Sequence, residues 1–173
     1  SFFQRNMMSI LDIVKLRGAN RNNKIKIVLT AICLASYQYH IGFYEGCPIF
    51  NRLAYSFCHA NVWHLAVNLF VLWSIQGKLY LIAPLAIAVY SSLLPMYVTD
   101  PTMGLSGFLF AWFGIAWGKA LKPWSGFIAV LPYLCITMLI SNVNGLLHLY
   151  AFLIGLILSY IYFKCCYLIK TRK

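Results

Sequence analysis

Apolar residues run through this chain in blocks too long for the amphipathic helices of a soluble domain. Stretches able to cross about 30 Å of hydrocarbon need roughly 17 to 25 residues. Six candidates meet or approach that length, at about 25–42, 62–77, 79–98, 104–121, 125–141 and 145–169. The second and fourth are short for a full span, so their outer ends are expected to begin below the membrane surface. The separators are brief and turn-rich: Gln76-Gly77-Lys78, Thr99-Asp100-Pro101-Thr102, Lys122-Pro123 and Ser141-Asn142-Val143-Asn144. Nothing resembles a linker, a repeat or a second domain. The expected organisation is a basic arm, residues 1–24, followed by one membrane domain, residues 25–173. The expected fold class is all-α: a polytopic membrane protein with six transmembrane helices.

Composition agrees with that pattern. Of the 173 residues, 62% are hydrophobic and only 10% charged, and the mean hydropathy is +0.76. A soluble domain of this size could not cover itself with so little polar surface. The net charge of +11 invites a nucleic-acid reading, but the placement of the charges argues for membrane topology instead. Arg5, Lys15, Arg17, Arg21, Lys24 and Lys26 precede or open the first span. Lys78 separates spans two and three, Lys119 and Lys122 lie between four and five, and Lys164, Lys170, Arg172 and Lys173 close the chain. With six spans all these segments share one side, and only Arg52 falls on the other. The positive-inside rule then puts both termini in the cytoplasm of a multi-pass protein, with the plasma membrane as the expected host. The arm is expected to form a short amphipathic helix around Met8, Ile10, Leu11, Ile13 and Val14 on the anionic inner leaflet. The long basic stretch and the lack of a cleavage pattern argue against a signal peptide.

The six cysteines, Cys33, Cys47, Cys58, Cys135, Cys165 and Cys166, show no metal-type spacing, and no cofactor is expected. Cys47 and Cys58 share the outer loop and could pair in an oxidising compartment.

Polar groups inside apolar spans carry more information, because facing lipid is costly for them and facing a cavity is not. His59 precedes span two, "WHLAVN" contains His64 and Asn68, Ser106 heads span four within "MGLSGFLFAWFG", and His148 lies near the head of span six. Spans two, four and six all descend from the outer face. Ser106, His64, Asn68 and His148 therefore share one level, about 5 to 10 Å below the outer surface at 1.5 Å rise per residue. The residue types suit acyl transfer. A serine hydroxyl needs a base, and neutral histidine is matched to that task near pH 7. His148 is the expected base for Ser106. His64 and Asn68, four apart on one helix face, are expected to join the Ser106 backbone N–H as oxyanion donors. No carboxylate is placed to complete a triad, so packing must orient the imidazole, and Phe110 is the ring expected to stack on it. Gly107, Ala111, Gly114 and Gly118 form one small-residue stripe on span four, and His148, Ala151 and Gly155 form another on span six. Two such faces let backbones approach closely. Gly104 and Gly107, flanking the serine, are expected to give clearance for an oxyanion and for a neighbouring helix.

These residues together resemble the rhomboid intramembrane serine proteases. "HANVWHLAVNLFVLW" from His59 is similar to the family's span-two signature, "GLSG" to its GxSG nucleophile motif, and "HLYAFLIG" to the span bearing its base. The resemblance covers nearly all of the chain after the basic arm, and six spans with cytoplasmic termini match the family's minimal form. It implies a serine endopeptidase that cuts single-span transmembrane substrates near the extracytoplasmic face. In that reading Ser106 is the nucleophile, His148 the base, His64 and Asn68 the oxyanion donors, and His59 a structural histidine. The partners implied are substrate proteins and membrane lipids, not nucleic acid. The chain departs from the family at Leu147 and Ala151, where alanine and glycine are usual. Leu147 is expected to widen the contact between spans four and six. The alternative is a catalytically inactive rhomboid-like protein that binds membrane clients, and the complete dyad argues against it. A small transporter would need paired intramembrane charges, which are missing here.

Overall fold

The structure, a computed structural model, describes residues 21–76, 78–96, 101–121, 123–139 and 143–171. The expected amphipathic helix of the arm lies outside them. The described chain is helical: α1 (21–36), then α2 (Ile49–Ala54), α3 (Val62–Ser74), α4 (Ile82–Ser92), α5 (Ser106–Lys119), α6 (Pro123–Leu139) and α7 (Gly145–Thr171). Its β-structure, among the described residues, is a single isolated antiparallel bridge between Phe43 and Thr102.

Helix boundaries follow local chemistry more closely than apolarity does. The first stretch stops being helical at residue 36, where "SYQYHIG" brings polar groups and a glycine. The third, expected over 79–98, is helical only from Ile82 to Ser92, because Pro95 removes a donor and disfavours helix in the residue before it. Asparagines open two of the helices. Asn61 Oδ1 accepts from the His64 N–H at 2.8 Å, and Asn144 Oδ1 accepts from the Leu147 N–H at 2.9 Å; each satisfies a first-turn donor that lacks a helical partner. The α7 helix, with 27 residues, is long and apolar enough to cross a membrane, whereas α3, α4 and α6 are shorter apolar helices.

At the centre stands α5, which packs against α3, α4, α6 and most closely α7. On one side, Leu29 and Cys33 of α1 and Leu65 and Leu72 of α3 form a core with Leu105, Phe108, Leu109 and Trp112. On the other, α5 and α7 meet backbone to backbone through their small residues. A Cβ added at Gly155 would lie 2.5 Å from the Ala111 carbonyl oxygen, and one at Gly114 would overlap the Phe152 carbonyl. Only glycine permits that crossing, and it sets how near the heads of the two helices come.

Lys26, one of the basic residues at the start of the first span, is drawn into the fold. It is buried, at 5% exposure, and its ammonium donates to the Trp73 carbonyl at 3.1 Å and the Ile75 carbonyl at 2.6 Å. It thus ties α1 to the last turn of α3, where carbonyls have no helical donors and a cation is favoured. Lys26→Met is expected to lower the unfolding free energy by about 1 to 3 kcal/mol, the usual range when buried acceptors lose a donor. Denaturant titration in micelles checks this, and Lys26→Arg should recover part of the loss.

Candidate functional site

Ser106 is the first residue of α5; Leu105 is its N-cap, and no side chain caps the helix. The serine is therefore free of the capping role that a hydroxyl at a helix start often has. Its Oγ lies 2.8 Å from His148 Nε2. His148 is buried on α7, at 3% exposure, while Ser106 is half-buried. Leu147 was expected to keep these helices apart, but it is buried with Phe43, Tyr55, Ala88 and Met96 and does not prevent the hydrogen bond. It packs sideways beside Gly107, whose added Cβ would be 3.5 Å from Leu147 Cδ2.

The imidazole is oriented by packing. Phe110, one turn below Ser106, stacks on His148 with ring centroids 4.5 Å apart and planes 12° from parallel. His148 Nδ1 is buried with no hydrogen-bond partner among the described residues. The His148 ring is thus held by the Ser106 hydroxyl and the stacked Phe110 ring, with no acid against it among the described residues.

The turn before Ser106 is pinned from the loop that joins α1 to α3. Phe43 and Thr102 exchange two backbone hydrogen bonds of 2.9 Å, and the Gly104 N–H donates to the Tyr55 carbonyl at 2.9 Å. The Leu105 N–H donates to His59 Nε2 at 3.3 Å. Because that nitrogen accepts, the proton of neutral His59 sits on Nδ1, which donates to the Phe57 carbonyl at 3.2 Å. Burial, with a smaller contribution from neighbouring His64, pushes the His59 imidazole down to about 4, so this accepting form persists at neutral pH. Through these two bonds His59 ties the turn before Ser106 to the Phe57 carbonyl.

His64 is half-buried, with its ring edge-on to His59 at 5.4 Å. It lies over Gly104, where φ is +132° and an added Cβ would stand 2.5 Å from His64 Cε1. The His64 ring is thereby held beside the turn two residues before Ser106. Asn68 is arranged differently from the expected donor. It is buried, and its amide nitrogen donates to the His64 carbonyl at 2.9 Å, one turn back on its own helix. One of its two N–H bonds is used there. The backbone N–H groups of the first turn of α5 have no helical acceptors.

Two participants were missed by sequence reasoning. Tyr55 is fully buried, gives its carbonyl to Gly104, donates its hydroxyl to the Ala88 carbonyl at 2.9 Å, and fills the space that a side chain at Gly107 would need. Nothing in "NRLAYSF" marks it. Asn144 donates to Thr102 Oγ1 at 3.2 Å, joining the serine turn to the head of α7; its position before an apolar run could have signalled the cap. Cys47 and Cys58, considered as a pair, are both free thiols. A cavity of about 360 Å³ lies between Tyr44, Glu45 and Arg52 on one wall and residues 92–96 on the other, apart from the Ser106–His148 pair.

No protein-family model matches this chain, and no curated protein matches it.

Proposed function

We propose that this chain is an intramembrane serine endopeptidase of the rhomboid type, with six membrane-spanning segments and both termini in the cytoplasm. The observation that carries the reading is the 2.8 Å contact between Ser106 Oγ and His148 Nε2, made by the heads of two helices in an otherwise apolar bundle. Charge placement supports the topology, and the short α3, α4 and α5 helices are read as spans whose ends begin below the membrane surface.

In this mechanism His148 Nε2 takes the hydroxyl proton as Ser106 Oγ attacks the scissile carbonyl carbon. The resulting oxyanion is met by His64, the free N–H of Asn68 and the first-turn amides of α5. His148 then gives its proton to the departing amine, leaving an acyl-serine. Water, deprotonated by the same nitrogen, hydrolyses that ester and restores the hydroxyl. Stacking on Phe110 keeps the imidazole in place throughout, with no carboxylate involved. A substrate helix would enter between α3 and α6, which make no contact with each other among the described residues. It must unwind locally to present a carbonyl, because an intact helix buries its backbone groups in hydrogen bonds.

The test is reconstitution with a single-span substrate bearing helix-breaking residues near its outer end. The wild-type protein is expected to cut it within the outer third of the span. Cleavage confined to soluble loops, or none by folded protein, would refute the reading.

A further inference from the structure

The end of the bundle remote from Ser106 holds an arrangement that the proposed chemistry does not use. Lys119, the last residue of α5, donates to the Tyr80 hydroxyl at 2.9 Å, and its ammonium lies 5.7 Å from the centre of that ring. Lys78 approaches the same ring, at 5.3 Å, on a backbone fixed by the Trp112 indole N–H, which donates to the Lys78 carbonyl at 3.1 Å. Lys119 also lies 5.6 Å from the Phe163 ring of α7. Two exposed ammonium groups thus converge on one tyrosine where α5, α7 and the segment before α4 meet.

No carboxylate balances them among the described residues. The one acidic side chain described, Glu45, lines the cavity beside residues 92–96, at the opposite end of α4 from Tyr80. Like charges gathered without a counter-charge repel, and an anion seated between them relieves the repulsion. The depth selects the anion. Ser106 and Lys119 are the two ends of α5, about 20 Å apart at 1.5 Å per residue. With the serine about 5 to 10 Å below one surface, the lysines fall at the opposite headgroup layer of a bilayer with about 30 Å of hydrocarbon.

We propose that Lys78 and Lys119, held against Tyr80, form a binding site for the phosphate of an anionic lipid headgroup at the cytoplasmic face. The proposal rests on the membrane-spanning reading and not on the protease chemistry. Ser106→Ala is therefore expected to bind lipid as the wild type does, and loss of activity leaves the test intact. The experiment titrates the purified full chain with phosphatidylglycerol and with phosphatidylcholine of the same acyl chains, with retained lipid read by native mass spectrometry. Phosphatidylglycerol is expected to bind in preference. Lys78→Ala and Lys119→Ala should each weaken it about fivefold, the effect of one basic residue near an anionic surface. The double variant should abolish the preference, the lysine-to-arginine variants should keep it, and Lys170→Ala, an equal loss of charge elsewhere, should leave it unchanged. Unaltered phosphatidylglycerol binding by the double variant overturns the proposal, as does an equal loss in Lys170→Ala. Displacement by inorganic phosphate as effective as that by the lipid overturns the assignment to a headgroup. Extraction of the wild-type protein from membranes by alkaline carbonate would instead refute the membrane reading on which the site rests.

Discussion

Ser106→Ala is expected to lower cleavage of a transmembrane substrate by at least about 10⁴-fold, and His148→Ala by a comparable factor, since members of such a unit fail together. The 2.8 Å contact couples them: without the imidazole the hydroxyl keeps its proton, and without the hydroxyl the imidazole has nothing to activate. The double variant should therefore be no slower than either single one. Single-turnover rates in proteoliposomes check this, with helicity of each variant measured alongside. Additive losses would mean that the two residues act separately. A surviving rate in Ser106→Ala would move the nucleophile elsewhere.

The second large effect is expected at Gly114. A methyl there would overlap the Phe152 carbonyl, with the Leu156 nitrogen 2.7 Å away. Both are backbone atoms of α7, so no side-chain rotation relieves the clash and the helices must part. Gly114→Ala is expected to cost about 3 kcal/mol or more, at the upper end for overpacking, and Gly114→Val to prevent folding. Parting α5 from α7 also draws Ser106 from His148. Misplacement by about 1 Å costs roughly 100-fold in rate, so any Gly114→Ala protein that folds should cleave slowly. Gly155→Ala, which meets the Ala111 carbonyl at 2.5 Å from the other side, should resemble it, and the pair should be less than additive because they strain one contact. Denaturant titration and cleavage rates on the same samples measure both parts.

The pairing of Ser106 with His148 was legible because serine and histidine are conspicuous at the heads of apolar runs, and the alternating direction of the spans put those heads at the same end. The small-residue stripes were legible for a similar reason, since spacing by three and four marks one helix face. Phe110 followed from lying one turn below Ser106. Asn68 was half legible: its face could be read, but the acceptor one turn back that engages its amide depends on a rotamer that spacing does not encode. The burial of Lys26 was not legible, because a lysine at the edge of an apolar run ordinarily reaches water and only the fold shows the end of α3 standing over it. Tyr55 was invisible, since its two backbone partners, Gly104 and Ala88, lie far along the chain. The ends of the third apolar stretch were overextended because hydropathy does not register where Pro95 breaks the helix.

The central claim is that Ser106 is a nucleophile activated by His148. A fluorophosphonate that phosphorylates activated serine hydroxyls, followed by peptide mass spectrometry, tests it without knowledge of the substrate. The prediction is one adduct, on Ser106, in the folded wild-type protein, and no adduct in His148→Ala under the same exposure. Folded wild-type protein that stays unlabelled, or labelling that persists undiminished in His148→Ala, would contradict it.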